Sequence, residues 1–183
     1  MKLGLTFLRV VIGVLFFGHG TQKLYGWFGG HGIEGTAGFF ESLGLRPGRR
    51  HATAAGAAEA GGGALVALGF LTPAAAATLI GVMSTAVEKV HLKNGPWVSN
   101  GGYEYNLVLI AVMVALADLG PGHFSLDHAL GIEVKGPGVA ALALSGGIAG
   151  SYLMTRPSGN GGEPPAAEEA PAPEPAEAAQ APA

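Results

Sequence analysis

Residues 101–120 read Gly-Gly-Tyr-Glu-Tyr-Asn-Leu-Val-Leu-Ile-Ala-Val-Met-Val-Ala-Leu-Ala-Asp-Leu-Gly. Every side chain from Leu107 to Ala117 is apolar, and Asp118 followed by Gly120-Pro121-Gly122 closes the run. Such a stretch suits the core of a soluble domain or a membrane span. The second reading places Glu104 and Asn106 at the membrane edge, where a polar residue needs a reason to be.

Composition favours the span. The chain has 183 residues, 49% of them hydrophobic and only 13% charged, with a mean hydropathy of +0.38; a soluble domain carries about a quarter charged residues. The formal charge of -3 comes from the acidic C-terminus, since residues 1–155 hold 9 basic and 8 acidic residues, a net of +1. No basic patch points to nucleic acid. There are no cysteines, which excludes disulfides, thiolate catalysis, iron–sulfur clusters and Cys-ligated zinc for this chain by itself. Redox work would need a bound organic cofactor or a partner's centre.

Working outward, five segments approach the roughly 20 apolar residues that a bilayer requires: 3–24, 52–71, 73–91, 102–119 and 138–154. They predict an all-α membrane protein, a four-transmembrane-helix bundle over 1–130. An extra transmembrane helix over 131–155 is short and rich in small residues. The Pro/Ala/Glu-rich 156–183 cannot bury a core and reads as a disordered tail. Lys2 ahead of an apolar stretch suits a signal peptide, but Arg9 interrupts it and no small-x-small site follows, so 3–24 is read as a retained span. Pro73 sits at a helix start, and Leu71-Thr72-Pro73 joins the second and third spans in a tight hairpin. Residues 25–51 and 120–137 read as polar loops. Gly29-Gly-His-Gly32 lacks the strand and Lys-Ser/Thr of a phosphate loop and reads as a turn. Arg46, Arg49, Arg50 and Lys93 place the loops after spans one and three in the cytoplasm. Tyr25, Trp27, Trp97 and Tyr103 fall at span edges as an aromatic belt.

Ionisable residues inside spans carry the functional signal. At about 100° per residue, Arg9, His19 and Lys23 share one side of the first helix, facing the bundle. Glu59 has Gly56, Gly62 and Gly63 as helical neighbours, which lets a second helix approach. An ion pair between basic helix one and Glu59 is expected, with Arg9 as the partner in a transport reading. Glu104 and Asn106 head the fourth span. The bland reading makes all of these the internal glue of a bundle, with Lys89 and His91 snorkelling to the headgroups; four groups converging from several helices favour a polar cavity. The six histidines contain no HExxH, and His123 and His128, five apart, do not share a helix face, so no metal site is expected.

With these residues in view, the chain resembles the DoxX family of small bacterial membrane proteins. The resemblance rests on Arg9 followed by Phe16-Phe-Gly-His-Gly-Thr-Gln-Lys-Leu24, on Glu59 before a glycine run, and on 68–76, 101–109 and 120–127. It implies a multi-pass four-helix bundle in the cytoplasmic (inner) membrane, associated with oxidoreductase complexes, thiosulfate:quinone oxidoreduction or thiol- and oxidative-stress responses. The fifth helix and the tail exceed that pattern.

Three functions follow. The leading one is a quinone-interacting subunit of a membrane oxidoreductase, with His19, Glu59 and Glu104 exchanging protons. Arg9, Lys23, Tyr103 and Asn106 would bind the ring, and no metal or covalent cofactor is involved. The second is a non-catalytic scaffold that docks a soluble redox enzyme. The third is a small transporter or proton-coupled channel. The expected partners are the lipid bilayer and a soluble or membrane redox protein, with self-association open.

Overall fold

The computed structural model describes residues 3–132 and 134–156, and every regular element among them is helical. The helices are α1 (Leu3–Tyr25), α2 (Gly32–Ser42), α3 (Gly48–Leu68), α4 (Thr72–Ala86), α5 (Glu104–Leu119), α6 (Leu126–Ala129) and α7 (Pro137–Thr155). A π-helical turn, Val87–His91, prolongs α4.

The pairing of α1 with α3 organises the rest. Gly13 and Gly20 are two turns apart on α1, and Gly56 and Gly63 are two turns apart on α3. A Cβ on Gly13 would lie 2.4 Å from the Ala67 nitrogen, one on Gly20 2.3 Å from the Ala60 nitrogen, and one on Gly63 2.4 Å from the Phe17 nitrogen. The two backbones therefore touch, antiparallel, along a face where side chains have no room, which is the small-residue packing that membrane helices favour. Phe16 fills the step between the glycines and is buried.

α4 turns back from α3 through the tight hairpin that the sequence predicts, with Pro73 in its first turn. α7 then packs along α4 in the same direction: Gly147 faces Ala77 and Ile80, and the Thr85 and Ser151 hydroxyls lie 2.7 Å apart. α5 runs the opposite way against both helices, contributing Leu109, Met113 and Leu116 to a core shared with Leu79, Ile80, Ala140 and Ala143. α7 is thus built into the core. The bundle has two ends, one where α1 begins (the Arg9 end) and one where it finishes (the Lys23 end).

Polarity is inverted relative to a water-soluble domain. Phe7 is 72% exposed and Leu142 73%, whereas Arg9 is 2% exposed and Glu59 4%. Lipid as solvent selects for that arrangement. Two helices, α1 and α7, are long and apolar enough to cross a membrane. α3 is too rich in alanine and glycine around its charges, and α4 and α5 reach only 15 and 16 residues. The segment that looked weakest as a span, 138–154, is therefore one of the two that qualify.

Residues 25–51 are no loop. They contain α2, which packs on α3 and ties to it through a hydrogen bond from the Gly48 nitrogen to Glu41 Oε1 and the exposed Arg49–Glu34 pair. The tail expected over 156–183 lies, beyond Arg156, outside the described residues.

The glycine contact is testable in detergent. Gly20→Val must push two backbones apart and should lower the thermal midpoint, overpacking alone costing about 1–3 kcal/mol. Gly61→Ala, whose methyl meets nothing within 4 Å, should leave the midpoint unchanged or raise it by helix propensity. Equal midpoints for the two variants would refute the contact as a structural requirement.

A polar cavity at the Lys23 end as the candidate functional site

The Arg9 end spends its charges on the backbone. Arg9 Nη1 donates to the Val66 carbonyl at 2.9 Å and to Ala67, and Nη2 donates to Phe124. Val66 and Ala67 lie in the last turn of α3, where the carbonyls carry partial negative charge; the Val66 oxygen also accepts the Gly69 nitrogen at 3.0 Å. Across the hairpin, Asp127 accepts from the Leu71 nitrogen at 2.8 Å and from the Thr72 nitrogen and hydroxyl at 3.0 and 2.8 Å, capping the positive end of α4. A cation at a C-terminus and an anion at an N-terminus clamp the turn from both sides. Gly69 sits between them at φ +63, where a Cβ would meet Ser125 and the Arg9 guanidinium.

The Lys23 end is open. A cavity of about 510 Å³ is lined there by every long helix. α1 contributes Ile12, Leu15, Phe16, His19 and Lys23, and α3 contributes His51, Ala54, Ala55, Ala58 and Glu59. α4 and its π turn add Val82, Met83, Thr85, Lys89 and His91; α5 adds Tyr105, Asn106 and Leu109. α7 gives Gly146, Gly147, Gly150 and Ser151, and Phe39 and Phe40 of α2 lie over the end. Most of this lining is apolar, with a few polar groups converging, as in small-molecule sites.

Lys23 Nζ lies 2.5 Å from Glu59 Oε2. The ion pair expected between the first helix and Glu59 is present with Lys23 as the partner; the Arg9–Glu59 pairing of the transport reading is not, because Arg9 does not reach Glu59. Arg9 and Lys23 share a face of α1 but are fourteen residues, about 21 Å, apart along its axis, and the antiparallel register puts Glu59 opposite the Lys23 end. The transport reading loses the Arg9–Glu59 gate on which it rested.

Of the residues singled out in the sequence, His19, Lys23, Glu59 and Asn106 come together in this cavity. Arg9 belongs to the clamp at the other end. Glu104 and Tyr103 do not line the cavity. Glu104 Oε1 accepts the Val98 nitrogen at 2.8 Å, fastening the 95–100 loop, and Tyr103 stands at the start of α5, its nitrogen donating to Gly95. Gly102 passes so close to Gly95 and Pro96 that a Cβ would lie 2.2 Å from the Gly95 oxygen. Asn106 is 6% exposed, and the partner of its Nδ2 is the Met83 sulfur at 3.5 Å, a weak acceptor.

Sequence reasoning missed His51, Lys89, His91 and Tyr105 as lining groups. His51 was hidden in a segment read as loop, and Lys89 and His91 were read as snorkelling; the π turn after α4 carries them into the cavity. His123 and His128 were judged too far apart in register. They meet, with His123 Nδ1 3.2 Å from His128 Nε2, because His123 precedes α6 on a loop that folds back. Among the described residues no third metal-type ligand joins them.

The family profile described as DoxX matches residues 4–92. A Bacillus subtilis (strain 168) protein named "Putative oxidoreductase CatD" is 37% identical over 119 residues, 63% of this chain and 79% of that one. This chain belongs to the DoxX family. The DoxX family is membrane-associated, in keeping with the two apolar helices. No solved structure matches the chain. The DoxX profile covers α1 to α4 and the Lys23–Glu59 pair but ends at Leu92, before the 101–109 and 120–127 blocks that also carried the resemblance.

A double-mutant cycle measures the ion pair. Lys23→Met and Glu59→Gln should each lower stability in detergent, and the double variant should recover about 1–3 kcal/mol relative to their sum. Additive losses would mean that the two groups do not depend on each other.

Proposed function

We propose that this DoxX-family chain is an integral membrane subunit of an oxidoreductase assembly, and that the cavity at its Lys23 end takes a quinone. The observation that carries the reading is the partly buried Lys23–Glu59 pair opening, with His19 and Asn106, into an otherwise apolar cavity of about 510 Å³. The oxidoreductase named among its relatives supports the redox assignment. A planar ring fits such walls, which exclude water and strengthen the few polar contacts.

When bound, a quinone takes up two electrons and two protons to become a quinol. The protein's share is the protons and the positioning. If Lys23 turned from the carboxylate toward a ligand oxygen, Glu59 would take up a proton from the open end of the cavity and could pass it on, and His19, one turn earlier on α1, would offer a second proton-exchanging side chain on the same wall. The Lys23 ammonium favours negative charge on that oxygen, and Asn106 Nδ2, held only by a thioether, can turn to donate to a carbonyl. The electrons come from a partner's redox centre, since the cysteine-free sequence offers no thiol and no iron–sulfur ligands.

The protein purified in mild detergent should carry menaquinone or ubiquinone, and the content should fall at least fivefold in His19→Ala and Glu59→Gln without loss of folded protein. A quinone-free preparation that neither binds added quinone nor supports quinol oxidation sinks the reading. Quinone-independent function that survives Glu59→Gln, with capture of a soluble redox enzyme intact, would favour the scaffold.

We also place all five long helices across a bacterial cytoplasmic membrane, with the Lys23 end in the cytoplasm. α3 is 21 residues and α4 with its π turn 20, each about 30 Å at 1.5 Å per residue. The neutralised pair and the buried Arg9 leave lipid-facing sides apolar. Because the chain lacks cysteine, single Ser42→Cys and His123→Cys variants report each end. The expected result is labelling of His123→Cys in intact cells and of Ser42→Cys only after permeabilisation; labelling of both from outside would refute the arrangement.

A further inference from the structure

The cavity has a direction. Its polar groups (Lys23, Glu59, His51, His91, Asn106) cluster toward the Lys23 end, whereas Ile12 and Leu15 on α1 and Gly146 on α7 extend it toward mid-helix. Leu15 is 49% exposed although it lines the cavity, and Gly146 is exposed as well. The cavity therefore opens sideways between α1 and α7, the two helices able to cross a membrane, near the midpoint of both. At that depth the surroundings are hydrocarbon.

Two glycines form the α7 edge of this opening. Gly147 and Gly81 also line the cavity, and backbone packing explains them: a Cβ on Gly147 would lie 2.6 Å from the Ala77 oxygen, and one on Gly81 3.1 Å from the Gly147 oxygen. Gly146 and Gly150 have no such reason, since a Cβ on either would meet nothing within 4 Å. A glycine inside a helix is about 1 kcal/mol less favourable than alanine. Open glycines occur elsewhere on the chain, Gly61 among them, but of the cavity's glycines only these two, one turn apart, face empty space.

We propose that the ligand is a quinone bearing a long isoprenoid chain, and that Gly146 and Gly150 are the window through which the chain passes from the cavity into the bilayer. This rests on the quinone reading and deepens it. A ring held near Lys23 and Asn106 has its chain directed toward the midplane opening, where hydrocarbon is already the solvent and leaving the cavity exposes no apolar surface to water. The window sets which ligands enter: a chain bound against bare backbone needs no side chain to move, and side chains at 146 and 150 would close the route while leaving the ring's polar contacts in place.

The test uses full-length protein in detergent with two probes, menadione, which lacks a chain, and a long-chain menaquinone, assayed by extraction after gel filtration. Gly146→Leu/Gly150→Leu should retain menadione within twofold of the unmodified protein and long-chain menaquinone at least tenfold less. Gly61→Leu, open on another face, should retain both. Should the double variant fail to fold, Gly150→Leu alone carries the same expectation with a smaller change. Undiminished menaquinone in a folded variant overturns the window, and so does equal loss of both probes. Loss of bound phospholipid with menaquinone unchanged also overturns it, because the groove then serves an acyl chain. If the unmodified protein retains neither probe, the quinone reading itself fails, a result distinct from failure of the window.

Discussion

Backbone contact between α1 and α3 is the constraint on which the other features depend. Helices separated by ordinary side chains pack about 8–10 Å apart; here Gly13, Gly20, Gly56 and Gly63 remove the spacers. The contact also fixes register, because glycines two turns apart on each helix must coincide. A slip of one turn, about 5.4 Å, would drive side chains into backbone. It would also part Lys23 from Glu59, leaving a buried carboxylate whose unpaired burial costs several kcal/mol, and would pull Arg9 away from the carbonyls that end α3. Steric fit and electrostatics thus select the same alignment.

That alignment divides the polar residues by role. At the Arg9 end the groups are spent: Arg9 saturates carbonyls of α3 and of the 120–125 loop, and Asp127 saturates the start of α4. Only Arg9 Nε is left without a partner among these buried side-chain atoms, and the rest of the charge holds backbone in place as an anchor. At the Lys23 end the groups are incompletely satisfied. Asn106 has only a thioether for its amide, and His19 and His51 make no hydrogen bond among the described residues. Asn106 is buried, His51 half-buried and His19 exposed, so these side chains reach the cavity without being tied up elsewhere.

The hydropathy of the chain made the long helices legible to within a few residues, because apolar runs bounded by Gly, Pro and charges have few other solutions. Gly120 and Pro73 stop and start helices where their chemistry demands. Azimuth was legible in part: Arg9 is buried and Lys23 half-buried, whereas His19 lines the cavity but is exposed. Height was not. A helical wheel discards position along the axis, so it could not show that Arg9 and Lys23 serve opposite ends. α2 escaped because Gly32–Ser42 is short and follows the Gly29-Gly-His-Gly32 turn, so its buried Thr36 and Ala37 face was passed over within a segment read as loop. Glu104 looked like a ligand-facing acid because nothing local reveals that its carboxylate turns back to the Val98 nitrogen. That contact is only six residues back, but it depends on how the 95–100 loop folds.

The end of the family profile at Leu92 falls across the site in a way that fits this division of labour. α1 and α3, inside it, supply the ionised pair; α5 and α7, outside it, supply the facing wall and the opening. The two halves are under different physical constraints. Glu59 cannot change without stranding Lys23, and neither can move without disturbing the glycine register, so the charged pole is locked by three mutually dependent features. Gly146 and Gly150 touch nothing, and altering them changes only the shape of the space. On the quinone reading proposed above, α1 and α3 would set the chemistry of the cavity and α5 and α7 the molecules that it admits.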